Sequence, residues 1–245
     1  TMKYNIIRLE DTRSTNVYLR DLFSNQEVPE FTIVTTEYQS AGRGQLGNSW
    51  ESEQGKNLLF SVLLKPDFVK AREQFLISQI TSLAIKESLD RFAPGFSIKW
   101  PNDIYWNKQK ICGMLIENDI AGMMLYHSIL GIGININQEV FVSNAPNPIS
   151  LKTITGDILD KEEILADILH RLSAYYELLR KGEEEKISNR YFNSLFRKEG
   201  FHRYADKNGE FSAKITRIAP GGVLILSTVS GEERAYLFKE VRFIL

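Results

Sequence analysis

A chain of 245 residues with 43% hydrophobic and 25% charged side chains has the composition of a folded protein and lies far from the disordered regime. Its net charge of −1 excludes an overall basic field that would draw the whole molecule to nucleic acid, leaving only local patches. The single cysteine, Cys112, excludes an intramolecular disulfide. There is no signal pattern in TMKYNIIRLEDTRSTN and no run near the roughly 20 apolar residues of a membrane span. The expectation is therefore a cytoplasmic protein without membrane contact; Thr1 ahead of Met2 is read as a cloning remnant.

The first expected helix starts at Ser14–Thr15, one of which serves as N-cap, and carries NVYLRDLF. A strand, TIVTTE (32–37), precedes a glycine-rich stretch, and NLLFSVLL (57–64) follows it. In REQFLISQITSLAIKESLDRF, Leu76, Ile80, Leu83 and Ala84 share one helical face, and the segment stops before Pro94-Gly95. FSIKW (96–100), KICGMLIE (110–117) and MLYHSILGIGIN (124–135) are strand-like, with no helix between Ile98 and Asn135. That order points to a mainly antiparallel sheet in an α+β domain, not to alternating βαβ units.

Asp160, with Glu163 three residues on, has the capping-box spacing; the helix continues through ILADILHRLSAYYELLRK to Gly182. A fourth helix is expected around EEKISNRYFNSLF. After Gly200 the chain changes to short strands, FSAKITRI (211–218), VLILST (223–228) and RAYLFKEVRFIL (234–245). Pro220-Gly221-Gly222 and Ser230-Gly231 join them, and Asn208-Gly209 adds a further turn. These strands predict a small β-barrel packed on the larger unit, so the chain divides into a core at 1–198 and a C-terminal domain at 199–245.

The stretch SAGRGQLGNSW (40–50) matches two phosphate-loop patterns: G-x-G-x-x-G from Gly42 to Gly47, and a Walker loop without its lysine from Gly42 to Ser49. Both need a helix beginning at the glycines. Here NSWESEQGKN follows, without helical periodicity, and then a strand. What remains is a glycine-rich loop bearing Arg43, a planar cation suited to carboxylate or phosphate, with Trp50 as anchor or stacking surface. Alone, it reads as a solvated hairpin loop.

It is not alone. In KWPNDIYWNKQKICGMLIE (99–117), Pro101 turns the chain at a strand end, Asn102 and Asp103 sit at the corner, and a hairpin at Asn107–Gln109 returns Lys110 beside them. A lysine next to a carboxylate is usually a surface ion pair. With the loop cation and LGIGININ, however, it suggests a site for a phosphorylated ligand, and Asp103 is a candidate magnesium ligand. Cys112, two residues after Lys110, is expected on the same strand face as a small apolar filler. His127, His170 and His202 have no metal-ligand spacing, and no motif supplies a protein nucleophile.

These segments resemble, in order, the biotin protein ligases, in the form without a DNA-binding head. The matching residues are Ser14-Thr15-Asn16, Gln39, Gly42-Arg43-Gly44 with Gly47 and Trp50, Gly55-Lys56-Asn57-Leu58, Lys99-Trp100-Pro101-Asn102-Asp103, Lys110, and Gly131-Ile132-Gly133-Ile134-Asn135. The resemblance implies a biotin synthetase-like core akin to class II aminoacyl-tRNA synthetases, a mainly antiparallel mixed sheet flanked by helices, with an SH3-like C-terminal barrel. It implies activation of biotin by ATP, with Mg2+, to biotinyl-5′-AMP, then transfer to a lysine of a biotin carboxyl carrier domain. By the same resemblance, Ser14, Thr15, Asn16, Gln39, Gly42, Arg43, Gly44, Gln45, Lys110, Gly113 and Gly133 hold biotin. Arg43, Gln45, Trp50, Asn102, Asp103, Lys110 and Asn135 hold ATP or the adenylate. Arg43 and Lys110 offset charge at the phosphate, and Asp103 orients the acceptor amine.

The family often has arginine after Gly44, where this chain has Gln45, and Leu46 and Asn48 replace positions that are basic in some members. One loop cation in place of several implies a looser hold on the adenylate. Because the core begins near the N-terminus, no DNA partner is expected; a homodimer is allowed. The competing readings are a lipoate or octanoate ligase and a non-catalytic nucleotide-binding module.

Overall fold

In the computed structural model, residues 4–245 are described, and the reading of Thr1 falls outside them. The central sheet contains β1 (Asn5–Thr12), β2 (Thr32–Gln39), β3 (Leu58–Leu64), β4 (Phe96–Lys99), β5 (Asp103–Trp106), β6 (Gln109–Ala121) and β7 (Met124–Ile134). Their spatial order is β1-β2-β3-β7-β6-β5-β4. β1 pairs parallel to β2 and every other pairing is antiparallel, as the run of consecutive strands predicts. The edge strand β1 was not anticipated. None of its residues is fully buried, so it lacks the apolar alternation that marks a strand in sequence.

Helix α1 (Thr15–Asn25) packs on one face of the sheet, where Leu19 meets Val34, Leu63 and Ile129. On the other face lie α2 (Phe75–Leu89), α4 (Lys161–Arg180) and α5 (Glu184–Asn193), with the five-residue α3 (Leu151–Thr155) after β7. Ile77, Ile80 and Leu83 of α2 join Ile168, Leu172 and Tyr176 of α4 in the main core. The expected stripe is therefore the packing face. Asp160 caps α4 by accepting from the backbone amides of Glu162 and Glu163. The reciprocal half of the capping box is replaced by an ion pair, since Glu163 lies 3.8 Å from Arg91. Gly182, at φ 76°, closes the helix. No helix of the described residues is long and apolar enough to cross a membrane.

The C-terminal strands are β8 (His202–Asp206), β9 (Gly209–Ala219), β10 (Val223–Thr228), β11 (Glu233–Tyr236) and β12 (Arg242–Phe243). They form a five-stranded antiparallel sheet in the order β11-β10-β9-β8-β12. RAYLFKEVRFIL breaks at Leu237–Glu240, where Lys239 has φ 70°, so its two halves lie on opposite edges of that sheet. The small sheet meets the core at the cis Trp100–Pro101 peptide. Trp100 Nε1 donates to the Gly222 carbonyl at 2.9 Å, and from the core side Tyr191 donates to the Pro101 carbonyl at 2.5 Å. The corner ahead of Asn102 and Asp103 is thus clamped from two directions.

Candidate active site

Alternation along β3, β7 and β6 aims one set of residues at the α1 face. Register places Ser61, Gly131 and Leu115 in one row and Leu59, Gly133 and Gly113 in the next. Three of these six positions are glycine. The missing side chains open a trench beside α1, a cleft of about 160 Å³. A Cβ on Gly131 would lie 2.4 Å from Asn16 Oδ1, and one on Gly133 would lie 2.5 Å from Trp50 Nε1. On Gly113 it would lie 2.9 Å from Trp50 Cζ3. The floor is glycine because Asn16 and Trp50 occupy the space above it.

One end of the trench is polar without net charge at its centre. Thr15 donates to Gln39 Oε1 through its amide (2.9 Å) and hydroxyl (3.3 Å). Ser61 Oγ lies 2.7 Å from Thr15 Oγ1 and 2.5 Å from Asn16 Oδ1. Asn16 Nδ2 donates to the Leu115 carbonyl and to Glu117 at 2.8 Å. Ser14 occupies the N-cap position of α1, yet its hydroxyl makes no capping bond; it lines the cleft instead.

The other end is charged. Lys110 Nζ lies 2.9 Å from Asp103 Oδ2, with both side chains less than a third exposed. Asn102 is buried, and its Oδ1 accepts from Gln45 Nε2 at 3.1 Å. Gln45 also donates to the Met114 carbonyl, so it spans the cleft from the loop. The loop itself is a strap. Arg43 and Ser49 form an antiparallel bridge, Gly44 donates to Asn48, and Trp50 donates to Gly42. Where either phosphate-loop pattern would need an α-helix there is a three-residue 3₁₀ turn, Gln45–Gly47, which removes both readings. Arg43 Nη2 sits 3.7 Å from Glu117 Oε2, at the join between the two ends.

Of the residues singled out in the sequence, Ser14, Thr15, Asn16, Gln39, Arg43, Gly44, Gln45, Trp50, Asn102, Asp103, Lys110, Gly113 and Gly133 all line this cleft. Gly42 does not. It backs the strap, where a Cβ would meet the Trp50 carbonyl at 2.8 Å. Asn135 lies instead in a hollow behind Trp50 with Lys110, Phe141 and Pro148. Its Nδ2 donates to the Ile149 carbonyl. Its buried Oδ1, like Trp50 Nε1, has no partner among the described residues. A buried acceptor and a buried donor left unpaired are costly unless a ligand completes them.

The sequence reading missed Ser61, Leu115 and Glu117 and gave Gly131 no role beyond a family match, although stepping by two from Gly133 and Gly113 reaches three of the four. It also missed Lys99 and Trp100 as wall residues, and Phe238, which arrives from the small sheet with no local signal. Among the described residues no three His, Cys, Asp or Glu side chains cluster as a metal site.

Cys112 corrects one expectation. A register shift opposite Ile104 and Tyr105 pairs Tyr105 with Lys110 and Ile104 with Cys112, which leaves Ile111 as the extra residue of a bulge. Lys110 therefore reaches the cleft, while Cys112 is wholly buried in the main core. Burial pushes its thiol well above the ordinary range. The expected result is no reaction with a neutral-pH thiol reagent until the protein is unfolded; rapid labelling of the native protein would contradict this placement.

Residues 9–135 match the Biotin/lipoate A/B protein ligase family. The bifunctional ligase/repressor BirA of Bacillus spizizenii is 28% identical over 220 residues, covering 87% of this chain and 66% of that protein. The biotin–[acetyl-CoA-carboxylase] ligase of Paracoccus denitrificans is 31% identical over 134 residues, covering 52% of this chain and 55% of that one. The chain thus spans between about half and two thirds of these curated relatives. A solved structure of the biotin protein ligase from Aquifex aeolicus in complex with biotin and ATP superposes with a TM-score of 0.79 at 26% identity, covering 98% of this chain and 99% of that one. With more than half of its length inside the family match, and with that fold, the chain belongs to the biotin/lipoate protein ligase family.

Proposed function

We propose that this protein is a biotin protein ligase, which activates biotin with ATP and transfers the biotinyl group to a lysine of a carrier domain. The observation that carries the reading is one continuous glycine-floored cleft with a hydrogen-bonding end at Thr15, Asn16 and Gln39, a cation at the other end, Lys110, and a second, Arg43, at the join between them. The hydrogen-bonding end suits a ureido ring, which offers both donors and an acceptor. A dithiolane or a plain alkyl chain offers neither and would gain nothing from those polar groups, which disfavours lipoate and octanoate.

In the first step a biotin carboxylate oxygen attacks the α-phosphorus of ATP, the bond to the bridging oxygen breaks, and pyrophosphate leaves with the electron pair. Two anions must approach each other. Arg43 and Lys110 offset that repulsion and stabilise charge developing at phosphorus. Trp50 packs directly on Gly113 and Gly133 and so keeps water out of that part of the trench, water that would hydrolyse a mixed anhydride. The unpaired Asn135 Oδ1 is an acceptor suited to the exocyclic amine of a purine. Magnesium fits only in part: Asp103 is a single carboxylate, and one of its oxygens already pairs with Lys110. The other oxygen would hold an ion whose remaining ligands are nucleotide phosphates and water, adding positive charge there.

In the second step the carrier lysine, as a neutral amine, attacks the acyl carbon, the bond from that carbon to the phosphate oxygen breaks, AMP leaves with the electron pair, and the amine's proton passes to solvent. Asp103 accepts a hydrogen bond from that amine and orients it. The test is incubation with biotin, ATP, magnesium and a carrier domain, followed by mass measurement of the carrier. The proposal expects one added biotinyl group that depends on both small substrates, with lipoate and octanoate inactive in parallel. An unmodified carrier, or equal modification by octanoate, would overturn it.

A further inference from the structure

Strand β6 carries a carboxylate in a row that is otherwise apolar. Glu117 pairs with Ile129 of β7, which pairs in turn with Leu63 of β3, and both aliphatic side chains are buried with Leu19 of α1. Alternation puts Glu117 on the same face as Leu115 and Gly113, at the end of the trench floor. A carboxylate in such a row depends on its partners. One oxygen has two of them: Glu117 Oε2 accepts from Asn16 Nδ2 at 2.8 Å and lies 3.7 Å from Arg43 Nη2.

The two partners differ in freedom. Asn16 is buried, and its amide is fixed in turn by the Leu115 carbonyl and by Ser61, so it anchors the carboxylate. Arg43 rides on the strap with its side chain 47% exposed, and among the described residues Glu117 is the only carboxylate within ion-pair distance of it. Such a half-exposed pair stabilises the fold little. It does place a negative charge beside the spot that a ligand anion must take to meet Arg43. That anion is drawn by the guanidinium and repelled by Glu117.

We propose that Glu117 is a positioning residue that competes with the bound acyl-adenylate for Arg43, so that it sets how tightly the activated intermediate is held. The inference rests on the ligase reading for the identity of that anion. In the empty protein Glu117 occupies the guanidinium. When the adenylate arrives, Arg43 turns from the carboxylate to the phosphate, while the Asn16 amide keeps Glu117 in place as a standing rival. The intermediate is thereby held less tightly than one unopposed cation would hold it, which favours its onward reaction over its retention.

The test titrates the full-length protein calorimetrically with two unreactive ligands. Biotinol is neutral, with an alcohol in place of the carboxylate, and biotinol-5′-AMP adds the adenylate's phosphate charge. Glu117→Gln keeps the side-chain shape and an acceptor for Asn16 but removes the charge. It is expected to bind biotinol-5′-AMP about three- to tenfold more tightly than wild type, with biotinol changed by about twofold or less. Glu117→Asp, which retains the charge, should show no gain. In an Arg43→Gln background the gain from Glu117→Gln should shrink to about twofold or less. A Glu117→Gln protein that binds the adenylate analogue no more tightly than wild type would overturn the proposal, as would a gain of full size without Arg43. So would an equal loss of both ligands with a lowered melting temperature, the pattern of a packing role. A wild type that binds neither ligand would overturn the ligase reading and this proposal together.

Discussion

Lys110→Ala is expected to slow adenylate formation by about 10²–10³-fold while leaving the protein folded. The size of the effect follows from where the charge sits. Lys110 reaches the trench because a bulge in β6 turns it away from Cys112 and toward Asp103, 2.9 Å away. Its Cε is also within 3.3 Å of where a Gly113 Cβ would lie, so the ammonium is carried at the edge of the glycine floor. An acyl group lying along the cleft brings its carboxylate to this cation, and Arg43 approaches from the strap. Removing Lys110 deletes one cation and exposes the incoming phosphates to the bare Asp103 carboxylate, so attraction is lost and repulsion is added. Stability should change little, by about 1 kcal/mol or less, because a part-exposed pair contributes weakly to folding. Biotin-dependent pyrophosphate exchange measures the rate and thermal unfolding measures the stability. An exchange rate within threefold of wild type would remove Lys110 from the chemistry.

Gly131→Ala is expected to weaken biotin binding by about 10–100-fold and to cost about 1–3 kcal/mol of stability. The added methyl would overlap all three terminal atoms of the Asn16 amide, at 2.4, 2.7 and 2.8 Å. That amide cannot simply swing aside. It is bound to Ser61, to the Leu115 carbonyl and to Glu117, and Asn16 is buried. Displacing it breaks a chain that continues through Ser61 to Thr15 and Gln39, leaving buried donors and acceptors unpaired. The nucleotide end lies elsewhere in the cleft, so ATP binding should be affected far less. Separate titrations of the two substrates distinguish this from general unfolding, which would lower both together.

Much of the site could be read from sequence because its chemistry is local. Lys99, Asp103 and Lys110 belong to three consecutive strands, β4, β5 and β6, so a strand-end corner and a short return are enough to bring Asp103 and Lys110 together. The glycines of LGIGININ sit two apart, which already places them on one face of a strand. What escaped depends on distance in the chain. Ser61 joins Asn16 only because β3 is inserted between β2 and β7, and no spacing in the sequence encodes that order. Phe238 and Phe243 come from the last strands, whose docking under Trp100 and Lys99 is a tertiary event. Cys112 was placed on the wrong face because a bulge adds one residue and inverts the alternation beyond it. Strand β1 was missed because an exposed edge strand carries no apolar period. The chain therefore announces its charged corner clearly and its hydrogen-bonding pocket only in part.

The most direct measurement is a crystal structure of the protein soaked with biotin and ATP. The account predicts that the bicyclic ring of biotin lies in the cleft against Thr15, Asn16 and Gln39. It also predicts the adenylate phosphate within about 4 Å of both Lys110 Nζ and the Arg43 guanidinium. A ligand bound outside the glycine trench, or a phosphate that meets neither cation, would contradict it.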